Sequence, residues 1–93
     1  MPHLPKDTES DQVLAALEQF DRELRPTAQW TNWDRKAAQR FAIAHDNGKR
    51  YPPKKIISLA TGAGVHTFSG GTEANNWLHA RGFTIVDLKA GDG

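Results

Sequence analysis

A pair of prolines, Pro52 and Pro53, constrains the fold more than any other feature of the chain. Proline cannot donate to a strand ladder, so any strand that reaches Tyr51 must end there. Proline also suits the first turn of a helix, and glycine suits the position after the last turn. We therefore predict a short strand that ends before Pro53 and a helix that runs from Pro53 to about Thr61. The buried face of this helix would carry Ile56, Ile57 and Ala60.

The residues before the prolines read as the first strand and turn of a hairpin. Residues 40–44 alternate, with Phe41 and Ile43 on one side. Asp46-Asn47-Gly48 is a strong turn signal. Lys49 to Pro52 is then the returning strand.

Helices and one further strand are predicted elsewhere. Apolar residues from Asp11 to Leu24 fall on one helical stripe, which Ser10 or Asp7 can cap and Pro26 ends. The other predicted elements are a short helix over about Trp33 to Gln39, a helix from Thr72 to Arg81 with Trp77 on its inner face, and a strand from Phe83 to Leu88. We expect an α+β fold: a three-stranded, mostly antiparallel sheet with about three helices packed on one face. Residues 10–88 would form one domain, with a flexible leader at 1–9 and a flexible tail at 89–93.

Composition excludes several classes of protein. With 93 residues, of which 38% are hydrophobic, the chain suits one small globular domain. It contains no cysteine, which excludes disulfides and thiolate metal sites. No apolar run approaches the roughly 20 residues of a membrane helix, and the N-terminus lacks a signal-peptide core. A cytoplasmic protein with no membrane partner is expected.

Charge is segregated along the chain, although the net charge is only +1. Residues 1–24 carry two basic and six acidic side chains, a net of −4, whereas residues 34–55 carry seven basic and two acidic side chains, a net of +5. Such a distribution suits a basic binding face supported by an acidic helix. Ordinary solvated surface is the alternative.

No pattern in the sequence predicts catalysis. Four histidines are present, but none belongs to a metalloprotease or HNH motif, and neither a P-loop nor a nucleophile elbow is present. His45 beside Asp46 is read as a turn contact. We therefore expect no enzymatic activity, no cofactor and no metal.

Two segments have the chemistry of a phosphate-binding surface. Lys54 and Lys55 occupy the first turn of a predicted helix, where the macrodipole disfavours cations unless an anion neutralises them. The turn Ser69-Gly70-Gly71-Thr72 precedes another helix and offers close backbone approach and hydroxyl donors. The alternatives are two solvated lysines and a tight loop with a helix cap.

Several aromatic and basic side chains can complete such a surface. Arg50 can hold a phosphate, and Tyr51, with Trp33 or His66, can contact sugar or base. The candidate DNA-binding residues are Arg50, Tyr51, Lys54, Lys55, His66, Ser69, Gly70, Gly71, Thr72 and Trp33.

Taken in order, the segments HDNGKRYPPKKIISLATG and TFSGG and a helix ending in RGF resemble the N-terminal head domain of McrA-like HNH restriction endonucleases of the ScoMcrA type. The resemblance covers about residues 10–88. Asn47 adds a residue to the turn, and Lys55 stands where the family usually has alanine. The matching residues are His45, Asp46, Gly48, Tyr51, Lys54, Ile56, Phe68, Ser69, Gly70, Gly71, Gly82 and Phe83.

The resemblance implies a DNA-binding module in a restriction or antiviral-defence setting, able to sense modified DNA, with duplex DNA and a nuclease domain or subunit as partners. It does not imply cleavage, because the nuclease chemistry belongs to a separate domain of that family. The chain is expected to be an excised domain or a free-standing copy. The alternative function is a protein-interaction module, an adaptor or inhibitor of a defence nuclease, that acts through the acidic first helix.

Overall fold

The computed structural model describes residues 7–31, 33, 40–64 and 72–88. The predicted short helix at residues 33–39 lies, apart from Trp33, outside the described residues. The elements are, in chain order, α1 (Ser10–Gln19), a π-helical segment (Phe20–Leu24), β1 (Phe41–Ala44), β2 (Arg50–Tyr51), α2 (Pro53–Thr61), α3 (Thr72–His79) and β3 (Thr84–Asp87).

The first helix has the predicted extent but changes its hydrogen bonding halfway. The backbone N–H of Arg25 donates to the carbonyl oxygen of Phe20 at 2.8 Å, an i→i+5 bond that marks the π-helical segment. The predicted caps, Ser10 and Asp7, were wrong. Glu9 is the N-cap, because the Gln12 side chain reaches back to accept its backbone N–H at 2.9 Å and leaves Ser10 as the first helical residue.

Three strands within the described residues form an antiparallel sheet in the order β2-β1-β3. Ile43 of β1 pairs with Tyr51 of β2 and with Ile85 of β3. Directly paired residues share a face of the sheet. The Tyr51 ring lies edge-on to Phe20, with centroids 5.9 Å apart, so this face packs against the first helix.

The predicted turn joins β1 to β2. The N–H of Gly48 donates to the His45 carbonyl at 3.0 Å, and the N–H of His45 donates to the Lys49 carbonyl at 3.1 Å. Gly48 has φ +82°, a left-handed conformation that this kind of three-residue hairpin loop requires and that glycine adopts without strain.

The boundaries predicted for α2 are confirmed. The helix begins at Pro53 and ends at Thr61, and Gly62 follows it at φ +80°. The N–H of Gly62 donates to the Ser58 carbonyl at 2.8 Å, which satisfies one of the last carbonyls of the helix.

The core joins the first helix, α2, α3 and the sheet, and the expected small α+β fold is confirmed. Helices α1 and α2 pack together, and α3 contacts both α2 and β3. None of the helices in the described part of the chain has the length and apolar character needed to cross a membrane. The buried apolar residues are Val13, Ala16, Leu17, Phe20, Trp33, Ala42, Ile43, Tyr51, Ile56, Ile57, Ala74, Trp77, Leu78 and Phe83.

Candidate nucleic-acid interface

Asp21 is the point at which the first helix meets the hairpin. One carboxylate oxygen, Oδ2, accepts a hydrogen bond from the Tyr51 hydroxyl at 2.6 Å, and the other, Oδ1, accepts one from Arg25 Nε at 2.6 Å. The ammonium of Lys49 lies 3.7 Å from Oδ2. The carboxylate of Asp21, on the acidic helix, therefore contacts side chains of the basic hairpin, namely Tyr51 and Lys49.

These contacts keep Asp21 ionised. Burial alone would raise the pKa of Asp21, but the hydrogen bonds from Tyr51 and Arg25 and the positive charges of Arg25 and Lys49 outweigh it and lower the pKa below its ordinary value. Burial, together with the hydrogen bond to Asp21, raises the pKa of the Tyr51 hydroxyl. At neutral pH the pair is a phenol donating to a carboxylate.

Tyr51 supports the hairpin from inside the core. Its side chain is only 1% exposed, and its hydroxyl also accepts a hydrogen bond from Asn47 Nδ2 at 2.9 Å. The prediction that Tyr51 contacts sugar or base does not fit this placement, because a residue buried in the core is not accessible to a ligand. Asn47 has a second role, since its Oδ1 accepts the backbone N–H of Lys49 at 2.9 Å.

Arg25 links the same cluster to strand β2. One terminal guanidinium nitrogen, Nη2, donates to the backbone carbonyl of Arg50 at 2.8 Å. The guanidinium also lies 4.9 Å from the Tyr51 ring centroid and 5.1 Å from that of Phe20, within the range of a cation–π contact. The backbone of the hairpin is thereby fixed at the residue whose side chain was predicted to bind phosphate.

The predicted basic residues of this region lie close together along the chain. Arg50 is exposed on β2, and Lys54 and Lys55 are partly exposed in the first turn of α2. Pro52, the N-cap, has no side-chain acceptor, and the first turn of α2, all of it described, contains no acidic residue. Two cations thus stand at the positive end of the helix dipole.

The remaining predicted site residues divide into three groups. Trp33 is 3% exposed and lies in the core, so the predicted base contact does not fit its placement either. Thr72 is exposed at the start of α3. His66, Ser69, Gly70 and Gly71 lie outside the described residues. Trp77, predicted as core, is buried as expected.

Sequence reasoning missed the side chains that organise the hairpin. Asp21 and Arg25 are four residues apart, a spacing that favours an ion pair on a helix, and Asp21 directly follows a buried stripe residue, Phe20. That spacing was the available signal. The hydrogen bond from Tyr51 spans 30 residues of sequence and left no local pattern. Among the described residues, no group of histidine and carboxylate side chains is arranged to hold a metal ion.

The fold and the site together define a small α+β domain whose basic hairpin is held by a partly buried polar cluster. The ScoMcrA-like, N-terminal head domain family matches residues 6–87, and the chain belongs to that family. The head domains of McrA-like restriction enzymes are thus the group in which its function is to be sought. The search of curated proteins and the search of solved structures gave no match.

Proposed function

We propose that the chain is a non-catalytic DNA-binding module of a restriction system. The observation that carries the proposal is the junction of β2 and α2. There Arg50, Lys54 and Lys55 lie within six residues, in part or fully exposed, with no acid in the first helical turn. His66 and residues 69–72 complete the proposed contact set on the grounds of their chemistry in the sequence. Tyr51 and Trp33 leave it because they are buried.

The chemistry of this junction favours a backbone phosphate. Lysine and arginine neutralise phosphates without reading sequence, and the start of a helix adds a partial positive charge. A phosphate bound there would also offset the unfavourable interaction between Lys55 and the helix dipole. Duplex DNA, which presents phosphates at regular spacing, is the partner that this arrangement fits best.

Membership of the family supports a restriction setting, in which the head domain is a part separate from the HNH catalytic domain. We therefore propose a role in binding rather than cleavage, in cytoplasmic antiviral defence, together with a nuclease domain or subunit. Sensing of modified DNA belongs to the same proposal. It is tested by comparing unmodified and cytosine-methylated duplexes.

Charge reversal tests the DNA interface. Changing Lys54→Glu and Lys55→Glu together should abolish binding of a short duplex at moderate salt. Arg22→Glu is the matched control for the single variant Lys55→Glu, because Arg22 is exposed on the first helix and forms an ion pair with its neighbour Glu23. Equal loss of affinity in the control and in Lys55→Glu would refute a localised interface.

An amide chemical-shift titration locates the interface independently. Shifts on residues 49–55 and 66–73 on adding a duplex would support the proposal, and a different response to methylated DNA would support modification sensing. If no residue shifts even at low salt, the DNA-binding proposal fails.

A protein-interaction function is the second candidate, and the outer face of α1 favours it. Leu14 is 39% exposed and lies between the exposed acids Asp11 and Glu18, at helical spacings of three and four residues. Under this alternative, the Lys54/Lys55 double variant would keep its partner, whereas Leu14→Asp would lose it.

A further inference from the structure

Lys49 was absent from the sequence-based list of contacts, yet the structure places it beside the proposed interface. Its side chain is 53% exposed, and it directly precedes Arg50. Its backbone is fixed on both sides, since its N–H donates to Asn47 Oδ1 at 2.9 Å and its carbonyl accepts from His45 at 3.1 Å.

The ammonium group of Lys49 lies beside the carboxylate of Asp21. The 3.7 Å separation from Oδ2 is at the long end of an ion pair, so the ammonium retains donors for a further acceptor. Asp21 in turn is held by two shorter hydrogen bonds, from Tyr51 and Arg25, both 2.6 Å long. The position of the Asp21 carboxylate is thus fixed by two hydrogen bonds, whereas the Lys49 ammonium can move to meet a further acceptor.

The charges of this cluster favour an anion. One carboxylate and two cations leave Asp21, Arg25 and Lys49 with a net charge of +1. Asp21 therefore does not cancel the positive charge of the hairpin. It restricts the positions that the Lys49 ammonium occupies, and restricting a long side chain before binding lowers the entropic cost of the contact.

We infer that Lys49 is a further phosphate contact and that Asp21, held by Tyr51 and Arg25, is the residue that positions it. The inference rests on the proposed DNA-binding function. It assigns to the acidic helix a part in DNA binding, through one carboxylate that reaches the basic hairpin.

The direction in which Asp21→Asn changes the affinity for DNA tests this inference. Asp21→Asn removes a negative charge next to a DNA-binding surface, so electrostatics alone would strengthen binding. If Asp21 positions Lys49, the same change should weaken binding of a short duplex by about twofold to tenfold, the range expected for one long side chain that must be ordered on binding. Asp11→Asn, an exposed site on the same helix, is the matched control and should leave affinity equal or slightly higher.

A double-variant cycle separates positioning from general destabilisation. In a Lys49→Ala background, Asp21→Asn should no longer weaken binding, because the residue through which it acts is gone. Tyr51→Phe, which changes no charge, should weaken binding in the same direction as Asp21→Asn and serves if Asp21→Asn does not fold. All measurements are made at a temperature at which each variant is folded by circular dichroism.

The outcomes distinguish this inference from the proposed function. If the wild-type chain binds DNA and the Lys54/Lys55 double variant does not, but Asp21→Asn or Tyr51→Phe binds as tightly as wild type or more tightly, the inference is overturned and the DNA-binding function stands. An equal weakening by Asp21→Asn with and without Lys49 also overturns it. Absence of wild-type binding at low salt overturns both.

Discussion

Removing the hydroxyl of Tyr51 should measurably destabilise the domain. Tyr51→Phe keeps the buried ring and its edge-on contact with Phe20, but it removes the donor to Asp21 and the acceptor for Asn47. A hydrogen bond to a charged group contributes about 1.5–3 kcal/mol, and leaving a partner unsatisfied adds to the loss. The Asp21 side chain is 23% exposed, so water replaces part of the lost bond. We therefore expect a loss near the lower end, about 1.5 kcal/mol.

The assay is thermal and urea unfolding of both proteins at pH 7. A loss of about 1.5 kcal/mol in a domain of this size corresponds to a fall in Tm of roughly 6–12 °C. The double variant Tyr51→Phe/Asp21→Asn closes a cycle, in which residues in direct contact usually show a coupling of about 0.5–3 kcal/mol. A Tyr51→Phe protein as stable as wild type, with no coupling to Asp21, would refute a stabilising role for this hydrogen bond.

The difference in unfolding free energy between wild type and Tyr51→Phe should depend on pH. Because the folded state lowers the pKa of Asp21, the folded chain keeps this carboxylate ionised at a pH where the unfolded chain protonates it. The resulting stability is fully present above the unfolded pKa and is lost as the pH falls through the lowered, folded pKa. The difference between wild type and Tyr51→Phe should therefore be constant near neutrality and shrink in acid. A difference that grows in acid would contradict the assignment of Asp21 as an ionised acceptor.

Three further predictions concern the core, a helix end and salt. Leu78→Ala should lower the unfolding free energy by about 2–5 kcal/mol, because Leu78 is fully buried. Leu14→Ala is the control: Leu14 is 39% exposed, and its loss in the same urea assay should be well under half as large. Gly62→Ala should lower the unfolding free energy by about 1–2 kcal/mol, because Gly62 has a left-handed φ of +80°. A Cβ at this position would meet nothing within 4 Å, so the loss would come from the backbone. Gly62→Asn should lower stability less, and equal losses would point to a cause other than backbone strain. If Lys49, Arg50, Lys54 and Lys55 each neutralise a phosphate, log Kobs should fall against log salt with a slope of roughly −3.6, and Lys55→Ala should reduce that slope by about 1 in a fluorescence-anisotropy titration.

The elements bounded by local signals could be predicted from the sequence. Pro53 and Gly62 define α2 because both act on their own backbone positions, and the hairpin turn follows from Asn47 and Gly48 for the same reason. The register of the sheet follows once Ile43 must face the core.

The parts that depend on contacts distant in sequence could not be predicted. The π-helical segment begins at Phe20, where the helix passes over the Tyr51 ring, and no periodicity in residues 20–24 indicates it. A tyrosine beside an arginine favours a phosphate contact at the surface, whereas Tyr51 is buried. Its burial depends on Phe20 and its hydroxyl on Asp21, both on an element 30 residues away.

Asn47 ties the hairpin turn to the cluster around Asp21. Its side chain is used twice, as an acceptor for the Lys49 N–H and as a donor to the Tyr51 hydroxyl. The turn keeps its geometry because Gly48 takes the left-handed position.

The segregation of charge along the sequence has a structural consequence at Asp21. An acidic helix placed beside a basic hairpin would weaken an anion-binding surface if its carboxylates faced that surface uncompensated. The acids Asp11 and Glu18 are exposed on α1, away from its buried stripe, whereas Asp21, which does reach the hairpin, is neutralised by Arg25 of the same helix. Because Arg25 also holds the Arg50 carbonyl, the group that neutralises the acid is the group that fixes the basic strand. The first helix therefore supports the hairpin without placing an uncompensated carboxylate beside it.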